Sequence, residues 1–503
     1  MLPLMKPILI LHRYLGVAVG LLMALWCLSG FVMMIQAYPS LDPGERLNGL
    51  APLDLAGCCK LDNLPLADDT RISGFRVEML GERPVIRFAG GRRGVGGGPQ
   101  GNYDLRTGEP VESLTETQAL DVAQRFGAGN GIKGAAASLG EIDVDQWTVQ
   151  DARRNRPVFH FRYGDPAGTE AYVSGATGEV FQKTTGKSRF LAWIGVVPHW
   201  LYPTLLRQNG PLWSQIVVWT SVVGTFLTVT GLYVGIARFK KRKNGRWSPF
   251  LGWWYWHHII GLVFGVLTLT WVFSGLMTMN PWGLLEGGRS PVAAKFVSTA
   301  SWSETKAFLA APGGAVSPDL RQLRAVPFGD RLYAEAIRTS GPPERLDAAG
   351  HPVPVREAEV KALVDTLGSP VKSFGLMRRE DDYYYGHHSE VELPVYRAVL
   401  DDAEQTRLYI GARDGALKRV LGKEARMSRW VRGGMHDLDF GWLRNPWLWY
   451  PMVGLLLLGV TAVCITGAWL SLQRVARDLT GLAGHFSRPG DASELPSASR
   501  VDS

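Results

Sequence analysis

The chain is 503 residues long, 46% hydrophobic and 20% charged, with a formal net charge of +8. That length exceeds one small domain, and a mean hydropathy close to zero fits neither a bare transporter nor a plain soluble enzyme. It fits membrane spans joined to sizeable soluble modules, with the excess positive charge gathered in one place.

No charge interrupts the sequence between Arg13 and Asp42, and residues 8–38 are predicted to form a first span. Its apolar run is longer than a signal-peptide core and lacks a small-x-small cleavage site, which argues for a retained helix. Further spans are expected over 212–237, 253–280 and 447–472, each long enough to cross ~30 Å of hydrocarbon at ~1.5 Å per residue. Trp253, Trp254, Trp256, Trp442, Trp447 and Trp449 stand beside these runs, where aromatic belts form. The loop 238–250 holds Arg238, Lys240, Lys241, Arg242, Lys243 and Arg246 with no acid among them. Pinned between two spans, it reads as a positive-inside signal and not as a nucleic-acid patch, so no nucleic-acid partner is expected. Both termini are then cytoplasmic, in agreement with Arg474 and Arg477 in a tail, 473–503, that reads as disordered. The hydrophilic segments 40–187 and 281–425 face outward, in a bacterium the periplasm. Residues 188–207 and 426–444 are amphipathic approaches to the second and fourth spans.

The first outer segment reads as α+β. Ser113 and Glu116 are spaced as a capping box for a helix reaching Phe126. The runs RPVIRF, DQWTVQ, RPVFHFRY and EAYVSGATGEVF read as strands, the last turning at Thr177-Gly178. A formal G-x-G-x-x-G from Gly96 to Gly101 contains a proline and opens no helix, so it reads as a flexible loop. Cys27 and Cys464 fall within spans as packing residues. Cys58 and Cys59 are adjacent, too close to bridge readily, and no C-x2-C spacing is present.

The sequence contains itself twice. Leu11–Ile35 laid without gaps on Trp256–Asn280 gives H-x3-G-x3-G-x5-W-x2-S-G-x3-M in both copies, starting from His12 and His257. On a helix each His shares a face with Gly16 and Gly20, or with Gly261 and Gly265. Such a face either packs closely on another helix, with the His reaching the interface, or offers a ligating side chain above a groove for a flat porphyrin. The recurrence of His with both glycines favours the porphyrin. At one constant spacing, Pro157, Asp165, Thr169, Tyr172, Gly178, Trp193 and His199 then fall on Pro394, Asp402, Thr406, Tyr409, Gly415, Trp430 and His436, and Thr230-Gly231 answers Thr466-Gly467. The expected architecture is a four-span α-helical membrane protein of two parallel repeats, carrying two periplasmic α+β domains, with a pseudo-twofold along the membrane normal.

A twofold brings His12 to the level of His257 and His199 to that of His436. Two axial imidazoles on one iron describe a b-type haem, so two haem b groups are expected, one at each side of the membrane. A structural or proton-handling role for these histidines is the alternative. His258 takes the repeat position of Arg13 and reads as a propionate partner or a solvent-facing residue, with His257 the ligand. Arg13, Arg189, Arg207 and Arg444 could likewise meet propionates, or could anchor the interface. A run with no counterpart in the first half, Asp381, Asp382, Tyr383, Tyr384, Tyr385, His387, His388, Glu390 and Glu392, could receive ferric iron or a metal complex, or be a polar loop. His160, His351 and His485 read as ordinary strand or surface residues.

With these residues in hand, the chain resembles the PepSY-associated transmembrane family of bacterial inner-membrane proteins. The resemblance runs through LHRYLG, DQWTV, TEAYVSGATGEV, LAWIGVVPHWLY, WHHIIGLVFG, WVFSGLMTMNPWG, MHDLDFGWL and TGAWLSL, in that order over most of the chain. It implies PepSY folds for the outer domains and carries ligand roles onto His12, His199, His257 and His436. The His-His at 257–258 departs from the His-Arg such segments often show. Some family members are di-haem ferric-siderophore reductases. The resemblance therefore implies a haem-dependent oxidoreductase in the inner membrane, taking electrons from a cytoplasmic or quinol donor to a periplasmic ferric siderophore or other iron chelate. A non-redox PepSY envelope protein that binds peptidases or peptides is the rival, and it leaves four patterned histidines idle. A transporter is disfavoured because no span carries a carboxylate.

Overall fold

Four helices are long and apolar enough to cross a membrane: Met5–Met33, Gly210–Arg238, Gly252–Thr278 and Pro446–Thr480. They are seen in a computed structural model that describes residues 5–88, 100–285, 291–296, 299–310, 317–329, 331–387 and 390–486. The glycine motif from Gly96, His388, and the tail beyond Phe486 lie outside the described residues, as does the side chain of His485. Within the spans the hydroxyls bond back to their own helix: Thr228 to the Gly224 carbonyl, Thr268 to that of Phe264, Thr461 to that of Leu457. An apolar solvent demands that economy, since no water is present to satisfy a hydroxyl. The last helix continues past Leu472 to Phe486, helped by an Arg474–Asp478 pair at 2.9 Å one turn apart.

The chain divides into two compact units. The first comprises residues 1–28, 218–273 and 452–503. Val19, Met23, Ala24, Val460, Cys464 and Ala468 form its core. Leu21, Phe226, Val263, Val266 and Leu458 are exposed, as faces turned to lipid should be.

The second unit, residues 29–217 and 274–451, is built on three main sheets. A six-stranded antiparallel sheet runs in the order Glu344–Leu346, Arg331–Arg338, Leu320–Phe328, Phe75–Leu80, Arg83–Phe88, Gly101–Asp104. Its central pair sets Leu323 opposite Val77, so the two hydrophilic segments share one sheet. Each segment also has a four-stranded sheet of its own. The first is Ala136–Ile142, Val158–Tyr163, Glu170–Ser174 and Val180–Thr184; the second is Val371–Met377, Val395–Leu400, Arg407–Gly411 and Leu417–Leu421. A helix covers each: Glu116–Gly129 buries Ala119, Ala123 and Phe126 against Phe161 and Val173, and Glu357–Asp365 buries Val360 and Val364 against Ala398 and Ile410. A buried ionic knot joins the six-stranded sheet to the first of these. Glu78 bonds Arg46 at 2.6 Å and Arg87 at 2.7 Å, and Arg46 also reaches Glu179 at 2.7 Å. Burial pushes the Glu78 carboxyl up, but the Arg87 and Arg46 charges win and hold it below the usual range.

Three local expectations are corrected. The capping box is Thr115 with Gln118, two residues later than the predicted Ser113, because Thr115 is the residue with extended backbone. DQWTVQ forms a turn and not a strand: Asp145 accepts from the Trp147 and Thr148 amides at 2.9 Å, and that local bonding competes with a ladder. Cys58 and Cys59 are joined by a disulfide.

Candidate functional site

His12 on the first span and His257 on the third lie with ring centres 6.4 Å apart and planes 28° from parallel. Each ring is held from behind. His12 Nδ1 is 3.0 Å from the Leu227 carbonyl and 3.3 Å from Thr230 Oγ1. A carbonyl only accepts, so the proton sits on Nδ1 and the lone pair on Nε2. His257 Nδ1 is 3.0 Å from Thr466 Oγ1, whose own proton goes to the Ala462 carbonyl at 2.7 Å. That hydroxyl can therefore only accept from His257, which fixes the same tautomer. Glycine allows these close approaches. A Cβ on Gly231 would stand 2.7 Å from His12 Cε1, and one on Gly467 3.0 Å from His257 Cε1.

The two rings, with Arg13, Gly16, Gly20, Gly261 and Gly265, line a largely apolar cavity of about 190 Å³. The motif glycines have different surroundings. Gly16 lies against Ser471 and Gly265 against Leu232, so they pack helices, whereas a Cβ on Gly261 would meet nothing within 4 Å. His258 neither faces solvent nor offers a donor to a propionate. It is 7% exposed, with Nε2 at 2.9 Å from the Gly235 carbonyl and Nδ1 at 2.8 Å from Ser248 Oγ. Its ring is committed in the opposite tautomer, as a pin between the second span and the basic loop.

The second pair repeats the plan. His199 and His436 have ring centres 6.4 Å apart with planes at 60°. Ser29 Oγ meets His199 Nδ1 and Ser274 Oγ meets His436 Nδ1, both at 3.2 Å. A Cβ on Gly275 would sit 3.3 Å from His436 Cε1. Two residues past each histidine a leucine takes left-handed backbone, Leu201 and Leu438, both at φ 50°. That conformation is disfavoured for a branched side chain, and its occurrence at both positions marks a constrained approach.

Asp381, at the start of the 381–392 run, has a counterpart in the first half. Asp381 accepts from the Tyr383 and Tyr384 amides at 2.8 and 2.7 Å and from Tyr409 Oη at 2.9 Å, as Asp145 does from Trp147, Thr148 and, at 2.7 Å, Tyr172. Asp382 is exposed, and its carbonyl accepts from Arg429 Nε at 2.6 Å. Tyr385 lies under the Arg444 guanidinium, 3.7 Å from ring centre to carbon. His387 Nδ1 is 3.6 Å from Asp439, and its ring meets Trp449 edge-on. These contacts dock the loop on the segment that carries His436. Burial raises the Asp439 carboxyl, but hydrogen bonds from His387, Tyr385 and Arg444 outweigh it and bring it down to about 2. Burial and that carboxylate push the Tyr385 phenol up to about 12. The other arginines considered for propionates have partners of their own: Arg189 pairs with Glu170 at 3.3 Å, and Arg207 stacks on Tyr202 and Trp213.

The histidine pairs can be tested against an iron porphyrin. A metal–imidazole bond is about 2 Å and the ring centre lies roughly 1 Å further on, so two rings sharing one metal sit about 6 Å apart. Both pairs meet that spacing. Among the described residues no three His, Cys, Asp or Glu side chains converge to hold a bare ion. Each pair could supply two imidazole ligands to one iron and would leave the remainder to a planar group, the donor demand of a haem. The residues fit.

The histidines were legible as a pattern; the groups behind them were not assigned. Their signal was present in the Ser-Gly doublets at 29–30 and 274–275 and the Thr-Gly doublets at 230–231 and 466–467. A search of curated proteins finds no match. The family model for the PepSY-associated TM region matches residues 104–474, and with its four apolar helices the chain belongs to that family as a multi-pass membrane protein.

Proposed function

We propose that the chain is an inner-membrane oxidoreductase with two haem b groups, built as two parallel repeats with cytoplasmic termini. It passes electrons across the membrane from a cytoplasmic or quinol donor to a periplasmic ferric siderophore or other iron chelate. The observation that carries this reading is the matched 6.4 Å spacing of His12/His257 and His199/His436, each ring tethered through Nδ1. When bound, haem supplies reversible one-electron transfer. The chain's own residues do the rest. The four imidazoles would hold the haem iron through Nε2, and their Nδ1 tethers would fix ring orientation and raise ligand basicity. Gly231 and Gly467 let the second and fourth spans close behind the rings. The apolar lining would limit water around the first pair, and Arg13, in the same lining, would be the cation available to a carboxylate.

The test is the absorption spectrum of the purified protein. The expected result is two haem b per chain, both low-spin, reducible by dithionite and reoxidised by a ferric chelate. A colourless protein from haem-replete cells would overturn the reading.

A further inference from the structure

The basic loop is more than a charge cluster. Lys240 N bonds the Trp247 carbonyl at 3.0 Å and Arg242 N bonds that of Arg246 at 2.9 Å, closing a hairpin that turns at Gly245 with φ 78°. Phe239 stacks on Trp247 at 5.3 Å. Ser248, 3% exposed, accepts from the Phe250 amide at 3.3 Å and donates to His258, which ties the hairpin's return strand to the bundle. The loop is therefore held in one shape, and its cations cannot disperse.

What it presents outward is specific. Lys240, Lys241, Lys243 and Arg246 are exposed, and among the described residues none is ion-paired. The sequence has no acid at all between Glu179 and Glu286. Beside these cations lie Trp247 at 53% exposure, Leu251 at 64%, Trp253 at 56% and Trp256 at 55%. Three of these belong to the start of the third span or the residue before it, which begins at Gly252. Indoles there sit at the depth where a bilayer changes from hydrocarbon to headgroup, and the cations stand at the headgroups themselves. A soluble acidic protein would meet the lysines but leave the row of indoles without an apolar partner. A bilayer satisfies both.

We propose that residues 238–256 form a binding surface for anionic phospholipid, with the lysines and Arg246 on headgroup phosphate and the indoles in the interface. The test uses full-length protein in neutral detergent with equal phosphatidylglycerol and phosphatidylcholine, the retained lipid counted by native mass spectrometry. Phosphatidylglycerol should be retained in preference. Each cation removed should weaken that retention about fivefold, so K241Q/K243Q should lose about 25-fold while K241R/K243R keeps it. The double variant leaves the other loop cations in place, so topology is preserved. W253A/W256A should weaken both lipids alike. Equal retention of phosphatidylglycerol by wild type and K241Q/K243Q would overturn the proposal, as would tighter binding of polyglutamate than of phosphatidylglycerol vesicles.

Discussion

The two halves of the chain differ least where the histidines are held and most where something approaches them. His12 with Thr230 and Gly231 is answered by His257 with Thr466 and Gly467, and Ser29 on His199 by Ser274 on His436. Even remote details agree: Asp165 caps Thr169 at 2.8 and 2.7 Å, and Asp402 caps Thr406 at 2.7 and 2.6 Å. The approach segments diverge. In the first half Tyr38, Trp147, Trp200, Tyr202 and Trp213 pack ring against ring. At matching positions the second half has Asp437 for Trp200 and Asp439 for Tyr202, with Arg429, Arg444 and Tyr385 around them. Geometry is thus shared at the four histidines, while one approach is mainly aromatic and the other carries the ionic contacts.

The strongest way to break this comparison is to remove the histidines. His12→Ala and His257→Ala are expected to abolish the same low-spin haem, leaving about one per chain, and His199→Ala and His436→Ala the other. His12→Ala/His257→Ala should resemble either single variant, because both changes strike one site. If His12 and His199 proved to share a haem by stoichiometry and spectrum, each half would be self-contained and the pairing across halves would fail. Next in size are the glycines. Gly231→Ala puts a methyl 2.7 Å from His12, and Gly467→Ala one 3.0 Å from His257, so both should convert low-spin haem to high-spin, Gly231→Ala the more completely.

A smaller effect separates the halves instead of uniting them. Thr466 Oγ1 is 3.0 Å from His257 Nδ1 against 3.3 Å for Thr230 and His12, while each ring also has a backbone carbonyl, Val463 for His257 and Leu227 for His12. Thr466→Val should speed haem loss to a scavenging globin at least about tenfold, and Thr230→Val clearly less. The smallest effect is on acid stability. The Asp439 carboxyl is depressed to about 2, against about 3.9 unfolded. Its contribution is therefore complete above pH ~4 and is lost as pH falls through about 2. Trp449 fluorescence should change across that window, and Asp439→Asn should remove the change. Tyr202, at the matching position, carries no carboxylate to protonate there.

Much of this was readable because it is local or repeated. Hydropathy marked the four helices, and self-alignment marked the histidines that the structure brings into pairs. The Asp145 and Asp381 equivalence escaped because one residue of shift breaks the constant spacing between halves. His258 escaped because burial and two partners are tertiary facts; the repeat alone compared it with Arg13. The shared six-stranded sheet was invisible for a deeper reason. Its Val77–Leu323 pairing joins strands that are far apart in sequence, and no periodicity within either strand names its partner.

That central pairing also has a consequence for how the protein is made. Phe75–Leu80 emerges long before Leu320–Phe328, with two spans to be inserted between them. At roughly 5–20 residues per second the partner strand follows on the order of tens of seconds later. Throughout that interval Phe75–Leu80 stands as an open edge with unpaired backbone groups, a template for the wrong chain. The first hydrophilic segment is thus left unfinished, and its sheet is completed only once the chain beyond the third span has been made.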